Sequence, residues 1–280
     1  MEYVRALENK DSRARLKEVL AALAALGIHP ATQECRRPRI TNIVVDFLSQ
    51  SREKQLLFSA HYDVVKGTPG ANDNASGVAV LLGLCYELRH ARVPVRIVFF
   101  DREETWFRTP MLRLGLLGSL YYACKTNLQS IAAVYNLEFC GSGDFLAIWP
   151  IKSKETNLPA FREVEKAASR LALPLKSAHI PWLLLSSDHL SFRLKGFANA
   201  VTLSLLPRSQ VPILEGLLSK VSLSKLLVGR RPVLPEPLSL IHSDKDTSAN
   251  LNEDSLRLAL SVLLELIQSY HRKFWTFEKE

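Results

Sequence analysis

The most informative side chains in this sequence are acidic groups set at the ends of apolar runs. His61-Tyr62-Asp63 follows Gln55–Ala60, Asp101-Arg102-Glu103-Glu104 follows Pro94–Phe100, and Glu138 ends the run from Ile131. If these runs are neighbouring parallel strands, their carboxyl ends deliver a histidine and at least four carboxylates to one crevice, where ligands collect in open α/β sheets. Carboxylates crowded at low dielectric cannot all stay ionised without a shared proton or a compensating cation. A divalent metal supplies that cation, and imidazole with carboxylate ligands suits zinc. Each element alone has a plainer reading. His-x-Asp after a strand is commonly a hydrogen-bonded structural pair, and Glu103-Glu104 alone is a solvated turn. Gly70–Gly77 is most simply a turn in which Asn74 or Ser76 caps the next helix. Their order and joint occurrence point to chemistry.

The elements that must position these groups alternate between strand and helix periodicity. Asp11 to about Gly27 reads as an amphipathic helix, with Asp11 as its cap and Leu16, Val19, Leu20, Leu23 and Leu26 at helical spacing. Strands are expected over Ile40–Leu48, Gln55–Ala60, Pro94–Asp101, Ile131–Glu138, Phe145–Ile151 and Asn199–Leu206. Helices are expected over Ser76–Ala91, Leu116–Lys125, Ala160–Leu171 and about Glu253 to Phe274. Alternation of this kind implies an α/β sheet covered on both faces. Residues Pro207–Pro237 hold five of the fourteen prolines and read as a surface excursion containing one short helix near Ile213–Leu226. The whole of residues 1–280 is expected to form one domain.

Composition narrows the function classes. With 280 residues, 47% apolar and 23% charged, the chain can fill a core, which excludes disorder. No run of about 18 apolar residues occurs, so no membrane span is expected. The opening residues lack the basic-then-apolar order of a signal peptide. Cys35, Cys85, Cys124 and Cys140 are scattered without a CxxC pair and read as free thiols of a reducing compartment, so a cytoplasmic location is expected. The formal charge of +8 is spread out, with small clusters only at Arg36-Arg37-Pro38-Arg39 and Gly229-Arg230-Arg231. No nucleic-acid-binding motif accompanies them, so a nucleic-acid partner is not expected. Oligomeric state cannot be read from the sequence.

Taken together, His61-Tyr62-Asp63, Gly70–Gly77 with Asp73, Glu103-Glu104, Gly115–Ser119, Asn136-Leu137-Glu138, Ser187-Asp188-His189 and His242–Thr247 resemble the co-catalytic zinc aminopeptidases of the bacterial leucyl aminopeptidase type. Glutaminyl cyclases are relatives of the same family. The resemblance runs from about Leu56 to Ile267, about three quarters of the chain. It implies an α/β three-layer sandwich with a mixed, mostly parallel sheet flanked by helices on both faces. It also implies two zinc ions per chain and a peptide substrate. His61 would bind one zinc with Asp63 fixing its ring, and Glu138 would complete that site. Asp73 would bridge the two ions, and Glu104 and His242 would bind the second. Glu103 would be the general base, passing a proton from the attacking water to the leaving amine.

Three features depart from the aminopeptidase pattern. Glu138 stands where those enzymes commonly have Asp. Thr105–Leu114 is an insertion, and glutaminyl cyclases, built around a single zinc, carry a Trp- and Pro-containing insertion of similar length there. Trp106 could line a substrate pocket or plug it. Ile241 precedes His242, where animal cyclases have Trp. Asp188 either recognises a substrate amine, orients a neighbouring group or caps the helix it opens. The Gly70–Gly77 and His242–Thr247 runs favour peptide hydrolysis, with glutaminyl-peptide cyclisation as the alternative and a non-catalytic relative behind both.

Overall fold

A computed structural model describes residues 1–47, 53–104, 107–108, 113–149, 157–177, 187–213, 236 and 238–277. Its centre is an eight-stranded sheet. The strands are β1 (Ala31–Cys35), β2 (Ile40–Asp46), β3 (Gln55–His61), β4 (Val95–Phe100), β7 (Ile131–Leu137), β8 (Phe145–Trp149), β9 (Leu175–Ser177) and β10 (Ala200–Leu206), with β5 (Phe107–Arg108) and β6 (Arg113–Leu114) forming a separate small ladder. The order across the sheet is β1-β2-β4-β3-β7-β10-β8-β9.

The four middle strands β4, β3, β7 and β10 run parallel, and their sequences explain why. Every residue of β3 and of β10 is buried, as expected where helices cover both faces of a parallel sheet. Successive side chains leave a strand on opposite faces. Phe58, Ile97, Tyr135 and Leu203 therefore join one core, while Leu57, Val98, Val134 and Phe100 join a second. The larger core is covered by α2 (Ser12–Ala25), α3 (Ser76–Leu88), α5 (Pro159–Arg170) and α7 (Glu253–Phe277). In α7, Leu256, Ala259, Val262, Leu263, Leu266 and Ile267 recur at helical spacing and are all buried. The smaller core takes Tyr122 from α4 (Leu117–Lys125) and Phe192 from α6 (His189–Leu194). The outer strands β2 and β8 pair antiparallel with their inner neighbours, giving the mixed, mostly parallel sandwich.

Several expected boundaries shift. The second strand stops at Asp46 and the helix after the glycine-rich turn stops at Leu88. Five elements add to the expected strands and helices: α1 (Glu2–Leu7), β1, β5, β6 and β9. Beyond Ile213, the helix expected over Ile213–Leu226 lies outside the described residues, as do Trp106 and most of the Pro207–Pro237 excursion. Among the described residues no helix is long and apolar enough to cross a membrane.

Candidate metal centre

The four parallel middle strands end on the same rim, and the acidic groups gather there. His61 closes β3, and its Nε2 lies 3.2 Å from Asp73 Oδ1 and 3.5 Å from Glu138 Oε2. The other Asp73 oxygen, Oδ2, lies 3.1 Å from His242 Nε2, which is also 3.1 Å from Glu104 Oε1. One carboxylate thus spans two imidazoles, each with its own second carboxylate. His61, Asp73 and Glu104 each offer a ligand atom within 4.8 Å of the others'. The expected residues His61, Asp73, Glu104, Glu138 and His242 come together, although they are spread over 182 positions of sequence.

Local structure explains the placement. Gly70 adopts a left-handed conformation at φ 61°, and a Cβ there would meet Val64 Cγ2 at 2.4 Å, so glycine is required. The chain then turns tightly through Ala71–Ala75, and Asp246 receives the turn. Asp246 Oδ1 accepts from Asn72 N at 2.7 Å and Oδ2 from Asp73 N at 3.1 Å. Asn74 donates to Leu137 O at 2.7 Å, and Asn72 Oδ1 accepts from Gly141 N at 2.9 Å, tying the turn to the end of β7. Asn74 Oδ1 accepts from Gly77 N at 3.2 Å, a bond into the first turn of the next helix, although the N-cap position itself falls to Ala75 rather than to Asn74 or Ser76. Glu138 is steadied by Ser187 Oγ at 2.9 Å, which in turn accepts from Asn136 Nδ2 at 2.6 Å.

Asp63 does more than flank His61. Its Oδ1 is 3.4 Å from His61 Nδ1, and its two oxygens accept from the backbone amides of Glu103 and Glu104, each at 3.1 Å. One carboxylate therefore registers the Glu103-Glu104 pair against the β3 end. Asp188, expected as a substrate contact or a helix cap, is fully buried and makes no side-chain cap to α6. The Ser119 hydroxyl is near enough to favour its charged form, but neither Asp188 oxygen makes a hydrogen bond of ordinary geometry among the described residues.

The electrostatics show a site short of positive charge. Burial is the leading reason that Glu104 and Asp188 are each raised to about 7, with Asp73 adding at Glu104 and Glu138 adding at Asp188. Burial, with the neighbouring Glu104, Glu138 and Asp188, raises Glu103 well above the usual carboxylate range against the pull of His61. Hydrogen bonds to Asp73 and Glu104 push His242 up to about 10. His61 is also raised, because Glu138, Asp63 and Asp73 outweigh the burial that opposes its charge. Three carboxylates and two imidazoles with this spacing are a donor set that divalent cations satisfy.

Sequence reasoning assigned no role to Asp246, Ser187 or Asn136. Asp246 is buried while sitting four residues after a candidate ligand, but its partners are backbone amides, which a sequence does not mark.

The model of peptidase family M28 matches residues 42–267. Aminopeptidase YwaD of Bacillus subtilis is 36% identical over 91 residues, 30% of this chain and 18% of that protein. A vacuolar membrane protease of Candida glabrata is 28% identical over 118 residues, covering 41% of this chain and 12% of its own length. The chain therefore spans less than a fifth of these curated relatives. Among solved structures, the zinc aminopeptidase BSAP of Bacillus subtilis aligns with TM-score 0.60 and 19% identity, over 83% of this chain and 50% of its own. The glutaminyl cyclase of Porphyromonas gingivalis aligns with TM-score 0.69 and 16% identity over 96% of both chains. These structures share the fold, and with the match over most of the sequence the chain belongs to peptidase family M28.

Proposed function

We propose that this protein hydrolyses peptide bonds, removing N-terminal residues from peptides with the help of two zinc ions. One observation carries this reading: Asp73 presents one oxygen to His61 at 3.2 Å and the other to His242 at 3.1 Å. His61, Glu138 and Asp73 would hold one ion, and Asp73, Glu104 and His242 the other. When bound, such ions polarise a carbonyl and make water a nucleophile near neutral pH. The chain's own groups do the rest. Glu103 would take a proton from the attacking water and deliver it to the departing amine. Asp63 fixes both the His61 ring and the Glu103-Glu104 backbone, so base and ligand keep their register. Asp188 would receive the substrate's free amine.

Glutaminyl-peptide cyclisation is the second reading, favoured by the Trp- and Pro-containing insertion at Thr105–Leu114. Metal analysis with a substrate panel separates the two. The first reading expects about two zinc ions per chain, free amino acids from unblocked peptides, and activity abolished by phenanthroline and restored by zinc. One tightly held ion and ammonia release from glutaminyl peptides would replace it with the second.

A further inference from the structure

The turn that carries Asp73 is contacted by a part of the chain that precedes residue 42, where the family match begins. Residues 8–15 run along the back of the glycine-rich turn. Arg15 of α2 is completely buried. Its Nη2 donates to Pro69 O and to Gly70 O, both at 2.8 Å, and its Nε to Lys10 O at 3.2 Å. Around it, Asn9 N donates to Pro69 O at 3.1 Å, and Ser12 Oγ accepts from Val64 N at 3.3 Å. Glu8 Oε1 accepts from Ser248 N at 3.0 Å. One short segment thus grips both the loop before Asp73 and the loop after His242.

The geometry of Arg15 suits this task in particular. A Cβ on Gly70 would lie 2.6 Å from Arg15 Nη2, so the guanidinium fills the space that the left-handed turn leaves. One nitrogen, Nη2, serves both carbonyls while Nε, on the other edge of the planar group, holds Lys10 O; Nη1 has no partner among the described residues, and a lysine ammonium, a single donor atom, cannot span the two edges. Asp246 holds the same turn from the far side through Ala71, Asn72 and Asp73 amides. Arg15 takes the carbonyls of residues 69–70 and Asp246 takes the amides of residues 71–73. Asp73, Asp63, Asp246 and Glu104 all act electrostatically on Arg15 and favour its charged form against burial. A cation behind the carboxylate cluster therefore also lessens its mutual repulsion.

We propose that Arg15 is a positioning residue for the metal centre, setting the turn that carries the Asp73 carboxylate to its bridging place. The inference rests on the metal reading above, so its test includes a readout without metal. In metal-free R15K, amide hydrogen exchange of the peptide spanning residues 64–75 should quicken while the rest of the sheet stays protected. Zinc titration of the same protein should show affinity weakened about 10- to 100-fold, with the apo melting temperature little changed. R15M should lose more of both. Wild-type exchange in residues 64–75 of R15K, or undiminished zinc affinity, overturns the proposal. So does an R15K protein that does not fold, which would make Arg15 a residue of the folding core. Quickened exchange in R15K beside a wild-type protein that takes up no zinc would sink the metal reading and leave the clamp on the turn supported.

Discussion

Glu103 and Glu104 are adjacent yet differently employed: Glu104 Oε1 meets His242, while Glu103 makes no ion pair among the described residues. On the proposed roles, E103Q should keep zinc content near wild type while turnover falls about 10²- to 10⁴-fold. Elemental analysis beside initial rates checks it, and near-normal rates would remove Glu103 from the mechanism. H242A should instead lower bound zinc from about two per chain to one, by loss of one of the ligands of a single ion. Unchanged stoichiometry would contradict its place in the second set. At this scale much of the site was legible. His61, Glu104 and Glu138 announce themselves as charges ending apolar runs. What stayed hidden were contacts to backbone: the grip of Asp63 on the amides at 103 and 104, and of Asp246 on those at 72 and 73. Backbone donors are identical at every residue, so spacing cannot reveal them. Asp188 occupies the N-cap position of α6, as one of its expected readings had it, but its buried side chain makes no capping hydrogen bond.

Helix α4 shows how closely elements must approach to build this rim. A Cβ on Gly118 would lie 2.0 Å from Asp101 O and 2.7 Å from Asn42 Oδ1. Neither the β4 terminus nor Asn42, which donates to Gly118 O at 2.9 Å and accepts from Asp101 N at 3.1 Å, can give way freely. G118A should therefore cost about 2–4 kcal/mol in a denaturant titration. An unchanged midpoint would mean that the helix shifts without penalty. The middle strands were readable nearly to the residue because burial on both faces forces an apolar run. By contrast β1, Ala-Thr-Gln-Glu-Cys, is an exposed edge paired on one side only. It carries neither a core face nor a turn signal strong enough to declare a strand. The three residues of β9 are similarly half-exposed.

Across the whole molecule, a polar chain threads the core from β3 to α6: Ser59, Asn136, Ser187, Thr202 and His189. His189 Nδ1 pairs with Thr202 Oγ1 at 2.7 Å, while its Nε2 has no partner among the described residues. Burial, aided by Arg193, drives this imidazole down to about 3. The folded protein therefore binds fewer protons here than the unfolded chain, so stability rises with pH between about 3 and 6.5 and is lost as pH falls through that window. H189N keeps a hydrogen-bonding group and removes the titration. Its stability should decline less than wild type between about pH 6.5 and 4, by up to about 3 kcal/mol. Parallel pH dependences in the two proteins would show that His189 does not carry the effect.

The side chain of His242 is 45% exposed, whereas that of His61 is 1% exposed. On the proposed assignment, the two halves of the centre face solvent unequally, and traffic must pass the open half first. A chelator should strip one ion quickly and the other slowly, and refilling should reverse that order, with the inner berth taken up first as the more enclosed. Biphasic loss in the wild type, collapsing to a single slow phase in H242A, would make this lopsidedness visible as a rate.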